Sequence, residues 1–216
     1  MTRSELLKRL SLGAILVAIP VIAFAPPLVY FGKEIRGKVV DADTGVPLEG
    51  VSIVAEWQIY VTMIQPHFGE RIKVIEAETN AVGAYRVAGW GPVVRPPWGS
   101  LQERSPMLTF FKSGYYPKVI MNTRPSNQMT RDSEFNGKTI GLKAFDGDFV
   151  LLDRYLGNSD PWLTGCWRAC PHYVLALDAE AKRLRTIVPR TVYFAFPREL
   201  ERMSQDDRVY FLSHKQ

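Results

Sequence analysis

Hydrophobic and polar positions alternate most clearly between Glu34 and Trp57. Ile35, Gly37 and Val39 alternate with Arg36, Lys38 and Val40, the period of a half-buried strand. Asp41, Asp43, Thr44, Gly45 and Pro47 then crowd into seven residues. Short polar side chains that bond nearby backbone, a glycine free to take positive φ and a proline that fixes an extended exit predict a tight turn. Val51, Ile53, Ala55 and Trp57 resume the alternation against Ser52, Val54 and Glu56. Further strands are predicted over 71–78, 84–87, 108–112, 116–121 and 139–144. Turn signals separate them at Thr79–Gly83, with Asn80 and Gly83, and at Ser113–Tyr115, with Gly114. Ile59 to Ile64 is apolar without a regular period. Gly89–Ser100 holds three prolines and three glycines, which excludes a regular helix or central strand there. No helix-length crossover lies between the strands, so the pattern predicts a mainly β sandwich rather than a parallel sheet.

The period changes after about Phe145. Val150, Leu151, Arg154 and Tyr155 fall three and four apart, and Gly157-Asn158 stops the run. Asp160-Pro161 reads as a helix start, and Trp162, Leu163, Cys166 and Ala169 continue an apolar stripe. Pro171 restarts or kinks a helix, and Tyr173–Leu184 carries the best helix formers in the chain. A strand or an extended link over 192–196 and a final helix over 197–204 follow. This segment has too few apolar residues for a core of its own and is expected to pack on the sandwich.

The amino terminus has a third pattern. A short basic stretch, Met1–Arg9, precedes Leu10–Phe31, 22 residues without a charge. About 20 apolar residues span a hydrocarbon core. Ala23-Phe24-Ala25 has the small residues of a signal-peptidase site, but Pro26 follows it and the apolar run continues beyond. An uncleaved single-pass anchor over 10–31 is therefore the favoured reading, with a cleaved signal as the competitor. Arg3, Lys8 and Arg9 on one side nearly balance Lys33, Arg36 and Lys38 on the other, but the very short amino-terminal tail favours the amino end inside and the main domain outside the cytoplasm, at an inner or cell membrane. The organisation expected is a signal-anchor over 1–32, a sandwich over 33–145 and a helical extension over 146–216.

Composition changes this picture little. Apolar content of 46% and charged content of 23% suit a folded protein. The net charge of +5 is spread along the chain, with no basic run that reads as a nucleic-acid patch. There is no G-x-S-x-G and no phosphate loop. Acid pairs such as Asp146 with Asp148 and Asp206 with Asp207 fit turns and caps better than catalysis.

Three stretches resemble the carboxypeptidase regulatory-like domain, a relative of the transthyretin-like and collagen-adhesin B-type sandwiches. They are G-K-V-V-D-A-D-T-G-V-P-L-E-G-V-S-I-V (Gly37–Val54), T-N-A-V-G-A-Y (Thr79–Tyr85) and F-F-K-S-G-Y-Y (Phe110–Tyr116), in the family's order. The resemblance covers about 35–144 and implies a Greek-key sandwich of about seven strands, exported and non-catalytic. Asn80 stands where the family often has Asp, which weakens an acidic site but not the turn. Two insertions, Gln58–Glu78 and Gly89–Pro106, expand the spacing and are expected to form binding loops. Enzymes on related sandwiches use histidine-rich metal or catalytic sets, and this chain has only His67, His172 and His214.

Trp90, Arg95 and Trp98 are the candidate binding-loop residues, through stacking on a sugar or a partner's apolar surface. Against that stands the ordinary fate of tryptophan, burial over one open end of the sandwich. Asp43, Thr44, Gly45, Asn80, Gly83 and Gly114 are read as turn makers. Cys166 and Cys170 form an isolated pair for which a disulfide, buried thiols or a metal site stay open. No catalytic residue, cofactor or metal ligand is assigned. The expected function is a non-catalytic, membrane-anchored envelope module that binds a protein or polysaccharide. An accessory subunit docking through its helical tail is the alternative, and a hydrolase reusing the fold comes third.

Overall fold

The structure, a computed structural model, describes residues 27–61, 67–96, 99–147 and 169–185. It is mainly β. Eleven strands and one helix occur among these residues, and two layers of strand enclose the core. The first layer starts with β1 (Val29–Gly32), which leads directly into β2 (Ile35–Asp41). After β3 (Ser52–Val61) and β4 (His67–Glu78), the chain returns through β5 (Ala84–Val87) and β6 (Trp90–Val94). Their registers run on from one another: Lys38 faces Ala84, Ile35 faces Val87, Gly32 faces Trp90 and Val29 faces Val94. On the other side β10 (Thr130–Arg131) and β11 (Lys138–Leu142) run parallel to β1 and β2. The two three-stranded sheets thus follow one another along a single line, β10/β11 beside β1/β2 beside β6/β5.

The second layer has the order β4-β3-β8-β9, with β7 (Gly99–Leu101) also paired to β3. All of its pairings are antiparallel, including those of β8 (Met107–Phe111) and β9 (Lys118–Met121). Tyr30, Ile35, Val39, Tyr85, Val87, Ile140 and Leu142 of the first layer meet Ile53, Ala55, Trp57, Leu108 and Phe110 of the second. The alternating positions of β2 and β3 are the ones that enter this core, as their period predicted. Trp57 anchors it, fully buried and edge-on to Trp90 with ring centroids 5.3 Å apart.

β3 departs from simple alternation. Every residue from Ser52 to Ile59 is buried, so Ser52, Val54, Glu56 and Gln58 do not face solvent as a half-buried strand would have them. Part of the reason is helix α1 (Pro171–Arg185), which lies on the outer side of the second layer. Tyr173, Leu177 and Leu184 form its apolar stripe and pack with Val54 and Phe111. Tyr173 meets Phe111 edge to face, with centroids 5.8 Å apart. Burying each of these side chains contributes about 1.5–3 kcal/mol. Within the expected extension, α1 packs on the second layer.

Several predicted boundaries change. The apolar run assigned to the membrane through Phe31, and the anchor unit assigned to 1–32, extend too far. Val29–Gly32 is a strand, and Tyr30 is buried in the core. Gln58–Glu78 is not an extended loop but mostly the paired length of β3 and β4, whose register shifts at Trp57–Gln58 and Gln58–Tyr60. Those shifts scramble the local period and explain the irregular apolar pattern after Trp57. Gly89–Ser100 contains β6, an edge strand, where Pro92 is tolerated because an edge leaves some backbone unpaired. Among the described residues no helix is long and apolar enough to cross a membrane. The segments 1–26, 148–168 and 186–216 lie outside the described residues, and with them most of the expected anchor, Asp148 and most of the expected helical tail.

Candidate functional site

The predicted turn residues are found in turns. Asp41 Oδ1 accepts hydrogen bonds from the Asp43 and Thr44 backbone N–H groups (3.0 and 2.8 Å) and from Thr44 Oγ1 (2.9 Å). These bonds hold the Asp41 carboxyl below the ordinary carboxylate range, with Thr44 the main contributor. Asn80 Oδ1 accepts from Val82 and Ala84, so asparagine makes the turn that aspartate would make. Gly45, Gly83 and Gly114 all have positive φ. Thr79 ties its turn to the core: its Oγ1 accepts from Val51 N (2.8 Å) and donates to Leu48 O (2.6 Å), both buried bonds.

The proposed loop residues are not gathered into one open platform. Trp90 folds back against Trp57 and packs on the main core. Arg95 Nη1 donates to Gly99 O at 2.9 Å, closing its own loop rather than reaching outward. Trp98 lies outside the described residues. A groove of about 290 Å³ opens nearby, lined by Tyr60 and by Ser100, Leu101, Gln102, Glu103 and Arg104. It lies where the end of β3 meets the second insertion, with Gln102 N bonded to Gln58 O at 2.8 Å. Behind Leu101, the buried Arg131 donates to Leu101 O and to Ser126 Oγ, both at 3.2 Å, and its guanidinium lies 5.7 Å from the Tyr30 ring centre. Burial lowers the Arg131 pKa.

Three carboxylates that sequence reasoning passed over organise the outer side of the second layer. Glu76, on β4, accepts hydrogen bonds from the backbone N–H groups of His172 (3.0 Å) and Tyr173 (2.6 Å), and from Ser52 Oγ (2.8 Å). It satisfies the first turn of α1 from another element, as an N-cap residue would from within the chain. Its charge also complements the positive end of the helix dipole. Burial nevertheless outweighs the donors and raises its pKa.

Glu180 makes the second attachment. It falls in the stripe Tyr173, Leu177, Glu180, Leu184 and is fully buried. Its carboxylate accepts from Ser113 Oγ (2.6 Å), Gly114 N (2.9 Å) and Arg183 Nε (2.9 Å). Burial works to raise its pKa, but Arg183, Ser113 and Gly114 together hold it below the ordinary value. A glutamate at a stripe position was visible in the sequence and was the one signal for this contact.

Glu56 is the third. It is fully buried on β3, 3.4 Å from Arg71 Nε, and accepts from Gln58 Nε2 at 3.1 Å. Burial raises its pKa against the opposing charge of Arg71.

Cys170 is buried beside α1, and Cys166 lies outside the described residues. His172 Nδ1 stands 3.5 Å from Glu78. Among the described residues no group of three or more His, Cys, Asp or Glu is placed to hold a metal. Compared with protein-family models and with curated proteins, the chain matches none.

Proposed function

We propose that this protein is a non-catalytic, membrane-anchored module of the cell envelope, with its sandwich outside the cytoplasm. The fold would be a Greek-key sandwich of the carboxypeptidase regulatory-like type. Supporting that assignment are the three motifs Gly37–Val54, Thr79–Tyr85 and Phe110–Tyr116, together with the turn bonds of Asp41, Asn80 and Thr79. Collinear strands count as one in such a sandwich, so β1/β2, β5/β6 and β10/β11 bring the number close to the seven expected.

The observation that carries the binding role is the groove between Tyr60 and Ser100–Arg104, because both insertions contribute to it. Its exposed charges, Glu103 and Arg104, beside the apolar surface of Tyr60 and Leu101, suit a protein or a polysaccharide. The buried carboxylates fasten elements together rather than converge in this groove, which supports binding over acid–base chemistry. The apolar side of α1 is turned onto its own sheet, which favours this reading over a tail that docks a larger complex through that helix.

Cell fractionation with protease protection and a mass measurement of the mature chain tests the anchor. An intact amino terminus in the membrane, with the sandwich cleaved only from outside, is expected. A soluble chain beginning near Phe24 or Pro26 would refute it. For the groove, a photo-crosslinking residue at Gln102 should capture an envelope protein or glycan, and Arg104→Glu should abolish the adduct. Equal adduct with and without Arg104→Glu would refute a role for the groove.

A further inference from the structure

The rim of the sandwich where β1 begins carries three exposed apolar side chains among polar ones. Leu28 is 71% exposed, Val94 73% and Met129 49%. Three separate segments bring them together. Leu28 O accepts from Arg95 N at 2.8 Å, beside Val94, whose partner across the ladder is Val29. On the other side of β1, Phe31 N donates to Met129 O at 3.0 Å. Neighbouring strands lie about 4.8 Å apart, so these residues share one end of the ribbon. The other strongly exposed valines, Val46 and Val82, belong to the opposite end, where the Gly83 carbonyl accepts from Val39 N.

The position of this rim along the chain matters. β1 takes Val29–Gly32, and Pro27 and Leu28 before it are not helical, so the uncharged apolar run left to cross a bilayer is Leu10–Pro26, 17 residues. On the anchor reading, a helix of that length would measure about 26 Å at 1.5 Å per residue, against a hydrocarbon core of about 30 Å. Only Pro27 and Leu28 then separate the span from the strand. Two residues reach about 7 Å at most, so Leu28 stands close to the hydrocarbon boundary.

We infer that the rim formed by Leu28, Val94 and Met129 is seated in the lipid headgroup and upper acyl region, so that the sandwich rests on the bilayer rather than swinging free. This rests on the anchor reading above. The partner is the lipid surface itself. The contact is apolar, so it should survive high salt, unlike one made by basic residues. The seating also fixes which way the domain faces, with the Val46 and Val82 end pointing away from the membrane.

The full chain, reconstituted in vesicles of phosphatidylethanolamine and phosphatidylglycerol, tests this. An environment-sensitive fluorescent amino acid is placed singly at Val94, Met129 or Val82, leaving the native cysteines unchanged. At Val94 and Met129 the emission should shift to the blue and be quenched by lipids spin-labelled near the headgroup, at low and high salt alike. At Val82 it should stay water-like and unquenched. Water-like emission at all three positions in chains that float with the vesicles would overturn the seating and leave the anchor intact. A blue shift without lipid quenching would mean a second copy or another protein covers the rim, and would also overturn it. Chains that fail to float would remove the anchor and the seating together. As a second readout, Val94→Asp with Met129→Asp should open the rim to an added protease in floated vesicles, whereas unchanged cleavage would count against the seating.

Discussion

Replacing Glu180 with alanine tests how α1 is held. The carboxylate accepts from Ser113 Oγ at 2.6 Å and from Gly114 N at 2.9 Å, and it pairs with Arg183. Hydrogen bonds to a charged group are each worth about 1.5–3 kcal/mol net. Arg183 is 43% exposed, so its ion pair is screened and adds about 0–1 kcal/mol. Alanine recovers only tenths of a kcal/mol through helix propensity. The expected loss is about 3–6 kcal/mol, a factor of roughly a hundred to ten thousand in the equilibrium for releasing the helix. Hydrogen exchange should show it locally, with the Gly114 amide exchanging about a hundredfold faster or more, because its acceptor is gone. Urea unfolding should show a lower midpoint as well. Ser113→Ala should produce a smaller loss in the same direction, since Gly114 N keeps its acceptor. An unchanged exchange rate at Gly114 together with an unchanged midpoint in Glu180→Ala would show that the carboxylate does not hold the helix.

Three other outcomes are expected. Trp57→Ala should cost about 3–5 kcal/mol in urea unfolding, since Trp57 is fully buried and supports Trp90; a loss below about 1 kcal/mol would contradict its central place. Burial raises the Glu56 pKa above its ordinary 4.5, so the folded state holds that proton more tightly than the unfolded chain does. Its contribution to stability is therefore complete below pH 4.5 and is lost as pH rises through the folded value. Glu56→Gln, which cannot ionise, should flatten the fall in urea midpoint over that range, and an identical pH profile would refute the assignment. Gly45 and Gly83 share nearly the same φ (71° and 70°), but a Cβ at Gly45 meets nothing within 4 Å, while one at Gly83 presses on the Val39 carbonyl oxygen. Gly45→Ala should cost about 1–2 kcal/mol for its backbone conformation alone, and Gly83→Ala measurably more in thermal unfolding.

Much of the fold was legible where one face of a strand meets one core. The alternation of Ile35–Val39 and of Val51–Trp57, the Asp41–Gly45 turn and the helix over Tyr173–Leu184 all follow local rules, and the structure has them. β1 was hidden because Val29–Phe31 continue an apolar run that begins at Leu10. β6 was hidden by Pro92, which excludes a central strand but not an edge. β7 and β10, three and two residues long, carry no period at all. The burial of Ser52 and Val54 on the second side of β3 depends partly on a helix some 120 residues later, which no local window contains. The attachments of α1 were out of reach for the same reason. Glu76 and Tyr173 are 97 positions apart, and Glu180 and Gly114 are 66 apart. Only the place of Glu180 in an apolar stripe hinted that a carboxylate would be taken inside.

The single line of strands through β1 and β2 has a mechanical consequence. β1 is the middle strand of its sheet, between β6 and β10, and β2 is the middle strand between β5 and β11. Backbone bonds lie across the strands, so tension applied at Leu28 along the chain axis loads the rungs on both flanks together. Such a pull cannot peel one ladder open from an end. It must slide β1 out between two neighbours while withdrawing Tyr30 from the core. A load applied there would thus meet shear, the stiff direction of a sheet, and the domain would behave as a fixed post rather than unzip strand by strand.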